Sequence, residues 1–182
     1  MARKTDRMSD RSYKFMVWLF KPIDFLMPGF IDKRVSKFGI RKGMTLVDYG
    51  CGPGRYTTRF ARLVGEKGKV YAVDIHEIGL EIVREKMVKL GLDNVEPVLA
   101  KGYDSGLLDH VADMVTAIDM FFSVHDPAAF LAELKRIAKP DGVLVIDDGH
   151  QPRVVTKAKI AAAGSWKIVQ ESGDHLKCTQ LN

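Results

Sequence analysis

Apolar and polar positions change rhythm along this chain. Residues 1–12 are polar and charged, without an apolar period. Tyr13 to Phe30 turns apolar and aromatic, punctuated by Pro22 and by Pro28-Gly29. The spacing predicts a helix over 11–20, a broken turn, then a short helix over 31–38 that Gly39 ends. From Met44 the pattern becomes an alternation. Short apolar runs at 44–48, 69–74, 95–99, 113–118 and 143–146 read as strands. Between them, 55–64 and 76–90 carry helical spacing and stop at Gly65 and Gly91. Asp126-Pro127 supplies an N-cap and a proline for the next helix, which presents Phe130, Leu134, Ile137 and Ala138 on one face and ends at Pro140-Asp-Gly142. A helix over 153–163 follows. A hairpin closes the chain, its arms 166–171 and 175–181 joined by Ser172-Gly-Asp174.

Strands alternating with helices imply an α/β fold, a mostly parallel sheet with helices on both faces. The terminal hairpin adds an antiparallel strand. Ligands of such sheets sit beyond the carboxyl ends of the strands. That rule directs attention to 48–54, Asp74, 101–104, Asp119 and 147–150.

With 182 residues, the chain has room for one domain, preceded by an arm. Two cysteines, Cys51 and Cys178, form no metal or redox pair and no disulfide scaffold. The net charge of +5 is uneven. Residues 1–42 hold 11 Lys/Arg and 4 Asp/Glu, and the remainder holds 17 and 19. A slightly acidic body argues against a nucleic-acid groove across it. The longest apolar run near the start, Phe15 to Phe20, is broken by Lys21 and is too short to span a bilayer, which needs about 20 residues. A cytoplasmic protein is expected, divided into a basic, apolar helical arm or lid over 1–42 and a ligand-binding domain over 43–182.

The first strand runs into Asp48-Tyr-Gly-Cys-Gly-Pro-Gly54. Gly50, Gly52 and Gly54 allow a tight turn and a close approach to a ligand. A dinucleotide fingerprint wants Gly or Ala where Arg55 stands, and no Gly-Lys-Ser/Thr follows. Asp48 beside the loop repels a pyrophosphate. Asp74 closes the second strand, 20 residues after Gly54. A carboxylate there can accept both ribose hydroxyls of an adenosine. Loop and acid together call for an adenosine without phosphates and with positive character near the loop, a description that S-adenosylmethionine fits.

On these residues the sequence resembles the class I S-adenosylmethionine-dependent methyltransferases, in the group that includes the ubiquinone/menaquinone type. The matching segments are Val47 to Tyr56, Val70 to Asp74, Ala112 to Thr116 and Leu134 to Asp147, in the family's order over roughly residues 40–181. Four motifs in register are more specific than any one of them. The resemblance implies a Rossmann-like seven-stranded sheet of order 3-2-1-4-5-7-6, with strand seven antiparallel. It implies S-adenosyl-L-methionine as cofactor, held by Asp48, Gly50, Cys51, Gly52, Gly54, Asp74, Ile75, Gly102, Tyr103 and Asp119. The family commonly carries an Asp after strand three for the adenine amino group, where this chain has Lys101-Gly102. Either Asp104 substitutes or a backbone carbonyl does.

Methyl transfer from a sulfonium is an in-line displacement that rests on alignment and water exclusion. An acidic acceptor needs a base, for which Asp119 and His150 are the candidates; Asp126 and His125 read as a cap and its solvated neighbour. Asp119, Asp147 and Asp148 also form a divalent-metal alternative, as in catechol-type O-methyltransferases, with Asp148 departing from the Asn of that pattern. Tyr56 and Phe60 read as helix-face packing and Cys51 as a small loop residue. The acceptor is expected to be a small apolar or aromatic molecule, not a nucleic acid. Tyr13, Phe15, Trp18, Phe20 and Phe25 make the segment 11–38 an apolar lid, with Phe121 and Phe122 facing the same pocket. The same segment reads equally as a packing helix, or as a membrane-surface contact through residues 11–30. With no insert before the final hairpin, a partner, a homodimer or the lid completes the site. The competing function is a module that binds the cofactor or its demethylated product without transferring methyl.

Overall fold

A computed structural model describes residues 8–26 and 28–181. Helices α1 (Asp10–Leu26) and α2 (Pro28–Val35) precede the alternating body. The body runs β1 (Thr45–Tyr49), α3 (Thr57–Val64), β2 (Lys69–Asp74), α4 (Glu77–Leu90), β3 (Val95–Leu99), β4 (Ala112–Ala117), α5 (Pro127–Ile137), β5 (Ala138–Ile146), α6 (Arg153–Ala163), β6 (Trp166–Glu171) and β7 (Leu176–Gln180). Among the described residues the strands form one seven-stranded sheet of order β3-β2-β1-β4-β5-β7-β6. Pairing is parallel from β3 through β5 and antiparallel on both sides of β7. This is the expected order and sense.

Period-two alternation on β1 divides the core. Leu46 packs on one face with Ile31, Val35 and Phe38 from the α2 region, Phe60 and Val64 of α3, and Leu80 and Val83 of α4. Val47 and Tyr49 pack on the other with Phe130, Leu134 and Ile137 of α5 and Ile160 of α6. Strands covered on both faces are apolar throughout, which is why β1, β2 and β4 read as continuous runs. Pro97 stands in β3, an edge strand, where a missing N–H costs no ladder bond.

Some boundaries differ from expectation. α1 continues through Pro22 to Leu26 and forgoes the one helical bond that Pro22 cannot donate. α2 begins at Pro28, where a proline suits a helix start, and ends at Val35. Lys37 and Phe38 then donate three residues back, to Arg34 and Val35, and Gly39 takes a φ of +82°. β5 begins at Ala138, not at Val143. Ala138 pairs with Ala112, and an irregularity around Pro140-Asp-Gly142 precedes the Met114–Val143 pair. The chain therefore passes from α5 into the sheet without the separate turn that those residues suggest. Leu63, at core spacing on α3, is instead 39% exposed.

The arm is only partly separate from the body. Ile31, Val35 and Phe38 belong to the core, and Arg34 hydrogen-bonds Tyr56, Asp119, Asp147 and Asp174, so residues 28–38 are integral to the fold. Of the described side chains on α1, only Tyr13 is buried. Among the described residues no helix is long and apolar enough to cross a membrane.

Candidate functional site

Two clusters lie at the carboxyl edge of the sheet. The first is built on the end of β1. Gly50 N and Cys51 N both donate to Val73 O, at 2.8 and 3.0 Å, which folds the loop back against the end of β2. Gly50 adopts φ +75°, and a Cβ there would lie 2.8 Å from Cγ of Met120. Both conditions exclude a larger residue. Asp74 Oδ2 accepts from Gly52 N and Oδ1 from His76 N, each at 2.8 Å. The β2 carboxylate thus holds the glycine loop and the entry to α4 together. Burial raises its pKa in spite of these donors. Ile75 is half-buried against the α5 face of the core.

Asp48 does not face this crevice. It is 2% exposed, and its oxygens accept from Thr57 Oγ1 at 2.6 Å and Thr116 Oγ1 at 3.1 Å. Burial pushes its carboxyl up to about 6. β1 is central, and its even positions point at the α3 face, so Asp48 braces α3 against β4 beneath the glycine loop. Cys51 is buried, and burial pushes its thiol well above the ordinary range, consistent with a small inert loop residue.

The second cluster joins α2, α3, β4, β5 and the hairpin. Arg34 donates to Tyr56 Oη at 2.6 Å, to Asp119 Oδ1 at 3.2 Å, to Asp147 Oδ2, and to the Asp174 carbonyl at 3.0 Å. Tyr56 Oη donates to Asp119 Oδ2 at 2.9 Å, and Asp119 N donates to Asp147 Oδ1 at 2.9 Å. Asp119 sits at φ +58°, an unusual backbone for a residue with a side chain, and this turns its carboxylate onto Arg34 and Tyr56. Burial pushes Asp147 up to about 7, helped by the charge of Asp119 beside it. Burial alone would raise Asp119 too, but the hydrogen bond with Asp147 and the Arg34 guanidinium hold it below the usual carboxylate range. Asp119, with its side chain 42% exposed, is the open end of this network.

Asp119 and Asp147 converge as the metal alternative requires, but they converge on Arg34. Asp148 turns away to Arg153 Nε at 2.6 Å. Arg34 sits between Asp119 and Asp147, and Arg153 holds Asp148 away from them, so these residues do not fit a divalent ion. Tyr56 is also corrected: its ring packs beside Phe60, but its hydroxyl belongs to the network. Arg34 was missed in the sequence. Its signal was position, because Ile31, Arg34, Val35 and Phe38 share one helix face, and a cation there needs buried partners.

Lys101 and Asp104 close a small bridged turn, with Lys101 N donating to Asp104 O at 2.8 Å. Asp104 Oδ1 caps Gly106 N at 2.8 Å, so that carboxylate is committed to its own turn. Gly102 is exposed at φ +65°. Tyr103 packs on Phe130; its carbonyl accepts from Tyr49 Oη at 2.7 Å and its hydroxyl from Asp126 N at 3.0 Å, bonds that tie the turn to β1 and to the start of α5. Asp126 caps α5 through Ala129 N, as expected, and His125 is exposed. His150 is exposed and sits edge-on to Phe122, with ring centroids 4.8 Å apart. Phe121 is buried in the core, whereas Phe122 stays on the rim. Phe15 and Trp18 face solvent, and the side chains of Phe20 and Phe25 lie outside the described residues.

Comparison with known proteins agrees with this geometry. A family model described as a methyltransferase domain matches residues 40–178. The chain is 33% identical over 137 residues to the ubiquinone/menaquinone biosynthesis C-methyltransferase UbiE of Klebsiella pneumoniae, and 34% identical over 136 residues to that of Escherichia coli. These alignments cover 75% and 74% of this chain but only 55% and 54% of the relatives, so the chain spans about half their length. The crystal structure of an S-adenosylmethionine-dependent methyltransferase from Aquifex aeolicus superposes with a TM-score of 0.76 at 31% identity, covering 83% of this chain and 89% of that one.

Proposed function

The chain belongs to the class I S-adenosylmethionine-dependent methyltransferases, and from that premise we propose that it binds S-adenosyl-L-methionine in the crevice between the glycine loop and Asp74 and transfers its methyl group to a small apolar or aromatic acceptor. The observation that carries the reading is the mutual fixing of Gly52 N and the Asp74 carboxylate at 2.8 Å. The Asp74 carboxylate accepts backbone bonds from Gly52 N and His76 N at 2.8 Å, with the Ile75 amide also acting on it, and a carboxylate's four or so acceptor sites leave room for a ribose hydroxyl of the cofactor. When bound, the cofactor supplies an electrophilic methyl group on a positively charged sulfur.

The remaining work falls to the chain. Gly50 leaves backbone, not side chain, facing the ligand. Ile75 offers an apolar surface beside Asp74. Asp119 remains ionised and already accepts from two partners, which suits it to orient an acceptor hydroxyl or the cofactor's ammonium better than to take a proton. The names of the curated relatives favour a quinone-type ring among apolar acceptors.

A second reading, cofactor binding without transfer, is favoured by one observation. Only residues 147–152 separate β5 from α6, and only 164–165 separate α6 from β6, which leaves little chain there to enclose an acceptor. Calorimetry with S-adenosylmethionine and S-adenosylhomocysteine tests the shared core, and wild-type protein is expected to bind both. A methyl-transfer screen with labelled donor and substituted phenols and quinols separates the readings. Transfer supports the enzyme; tight binding without transfer to any acceptor supports the module.

A further inference from the structure

Tyr13 is 3% exposed, yet its hydroxyl has no hydrogen-bond partner among the described residues. The ring stacks on His76 with centroids 4.2 Å apart. The hydroxyl lies over the glycine loop, 3.7 Å from where a Cβ on Gly52 would stand. At Gly79, near the start of α4, a Cβ would overlap the phenol oxygen, so that glycine leaves the seat in which Tyr13 sits. Asp74, close enough to act on Tyr13 electrostatically, shares this corner. Burial and that carboxylate together keep the phenol protonated, a neutral donor. A buried hydroxyl without a partner is costly and rare. Here it lies beside the glycine loop, in the corner it shares with the Asp74 carboxylate.

We propose that Tyr13 is a cofactor-positioning residue: it closes the ribose end of the crevice, and its hydroxyl hydrogen-bonds the ribose diol opposite Asp74. The inference rests on the functional reading above and deepens it. A vicinal diol brings two donors and several acceptor lone pairs. It can donate to Asp74 and accept from Tyr13, satisfying both. Entry of the ribose requires the phenol to shift from its seat over Gly79 while its ring stays against His76, so Tyr13 couples the ligand to α1.

Calorimetry on the full chain tests this with wild type and Tyr13→Phe, each titrated with S-adenosylhomocysteine and with its 2′,3′-dideoxyribosyl analogue. Tyr13→Phe keeps the ring and its stack, and thermal melting checks that the variant is folded. The expected result is roughly three- to tenfold weaker binding of S-adenosylhomocysteine by the variant, the usual worth of one hydrogen bond, with a difference within about twofold for the dideoxy analogue. Equal or tighter binding by the variant would mean that the phenol merely plugs the crevice, and overturns the proposal. An equal loss with both ligands also overturns it, since the hydroxyl would then act elsewhere than on the diol. If wild type binds S-adenosylhomocysteine, these outcomes concern Tyr13 alone. If it does not, the functional reading fails first and takes the inference with it.

Discussion

Asp74 shows how one side chain serves both fold and ligand. Its backbone donors Gly52 N and His76 N fix the glycine loop and the start of α4. Asp74→Ala removes the ribose acceptor and loosens the loop together. Affinity for S-adenosylhomocysteine should fall by about 1.5–3 kcal/mol, the range for hydrogen bonds to charged groups. Unchanged calorimetric affinity would detach Asp74 from the ribose. Asp48, only a loop's length away, could not be distinguished from a ligand-facing acid in the sequence. Which face of β1 it occupies depends on register, and its hydroxyl partners Thr57 and Thr116 come from other elements.

At the scale of elements, α1 and α2 differ in kind although the sequence presents them as one apolar arm. α2 anchors Arg34, which bridges Tyr56, Asp119, Asp147 and the hairpin carbonyl at Asp174. Replacing Arg34 by Met leaves Asp147 buried beside Asp119 without a cation, a change that costs about 3 kcal/mol or more when one partner of a buried pair is lost. The Asp147 carboxyl, raised already, must rise further, so its proton is retained to higher pH. A raised native pKa gives stability below it that is lost as pH rises through it. The deficit of Arg34→Met relative to wild type should therefore be larger at pH 8 than at pH 5 in urea unfolding. A pH-independent deficit would show that Asp147 does not carry it. α1 has Tyr13 as the one buried side chain among those described on it, with an added exposed contact from Asp10 to His76 at 3.9 Å. Its backbone amides are expected to lose protection in hydrogen exchange well before those of β1 and β4, because local opening follows the apolar contact that must be given up. Equal protection would place α1 in the cooperative core.

For the molecule as a whole, the sheet was legible because buried parallel strands and cross-over helices write strong local patterns. The run 69–74 and the helix stops at Gly65 and Gly91 fall where the structure has them, and the run 44–48 ends one residue short of β1, Thr45–Tyr49. The Arg34 network was not legible, since its members lie up to 140 residues apart and meet only once α2 docks on the hairpin. The same burial that hides such groups also sets the pH response of the fold. Asp48 has its native carboxyl pushed up to about 6 from an ordinary value of 3.8. The native state therefore holds this proton more tightly than the unfolded chain, and protonation stabilises it. The contribution is complete below 3.8 and lost as pH rises through about 6. Groups with lowered native carboxyl pKa, such as Asp113 and Glu133, act in the opposite sense, as does buried His175 with its lowered value, so the total profile is mixed. Asp48→Asn isolates the one term. The stability of wild type minus that of the variant should increase by about 1–1.5 kcal/mol between pH 7.5 and pH 5, because only wild type gains a proton there, while the other groups cancel. Paired urea titrations at the two pH values measure it. A flat difference would mean that the hydroxyls of Thr57 and Thr116 fully compensate the buried charge.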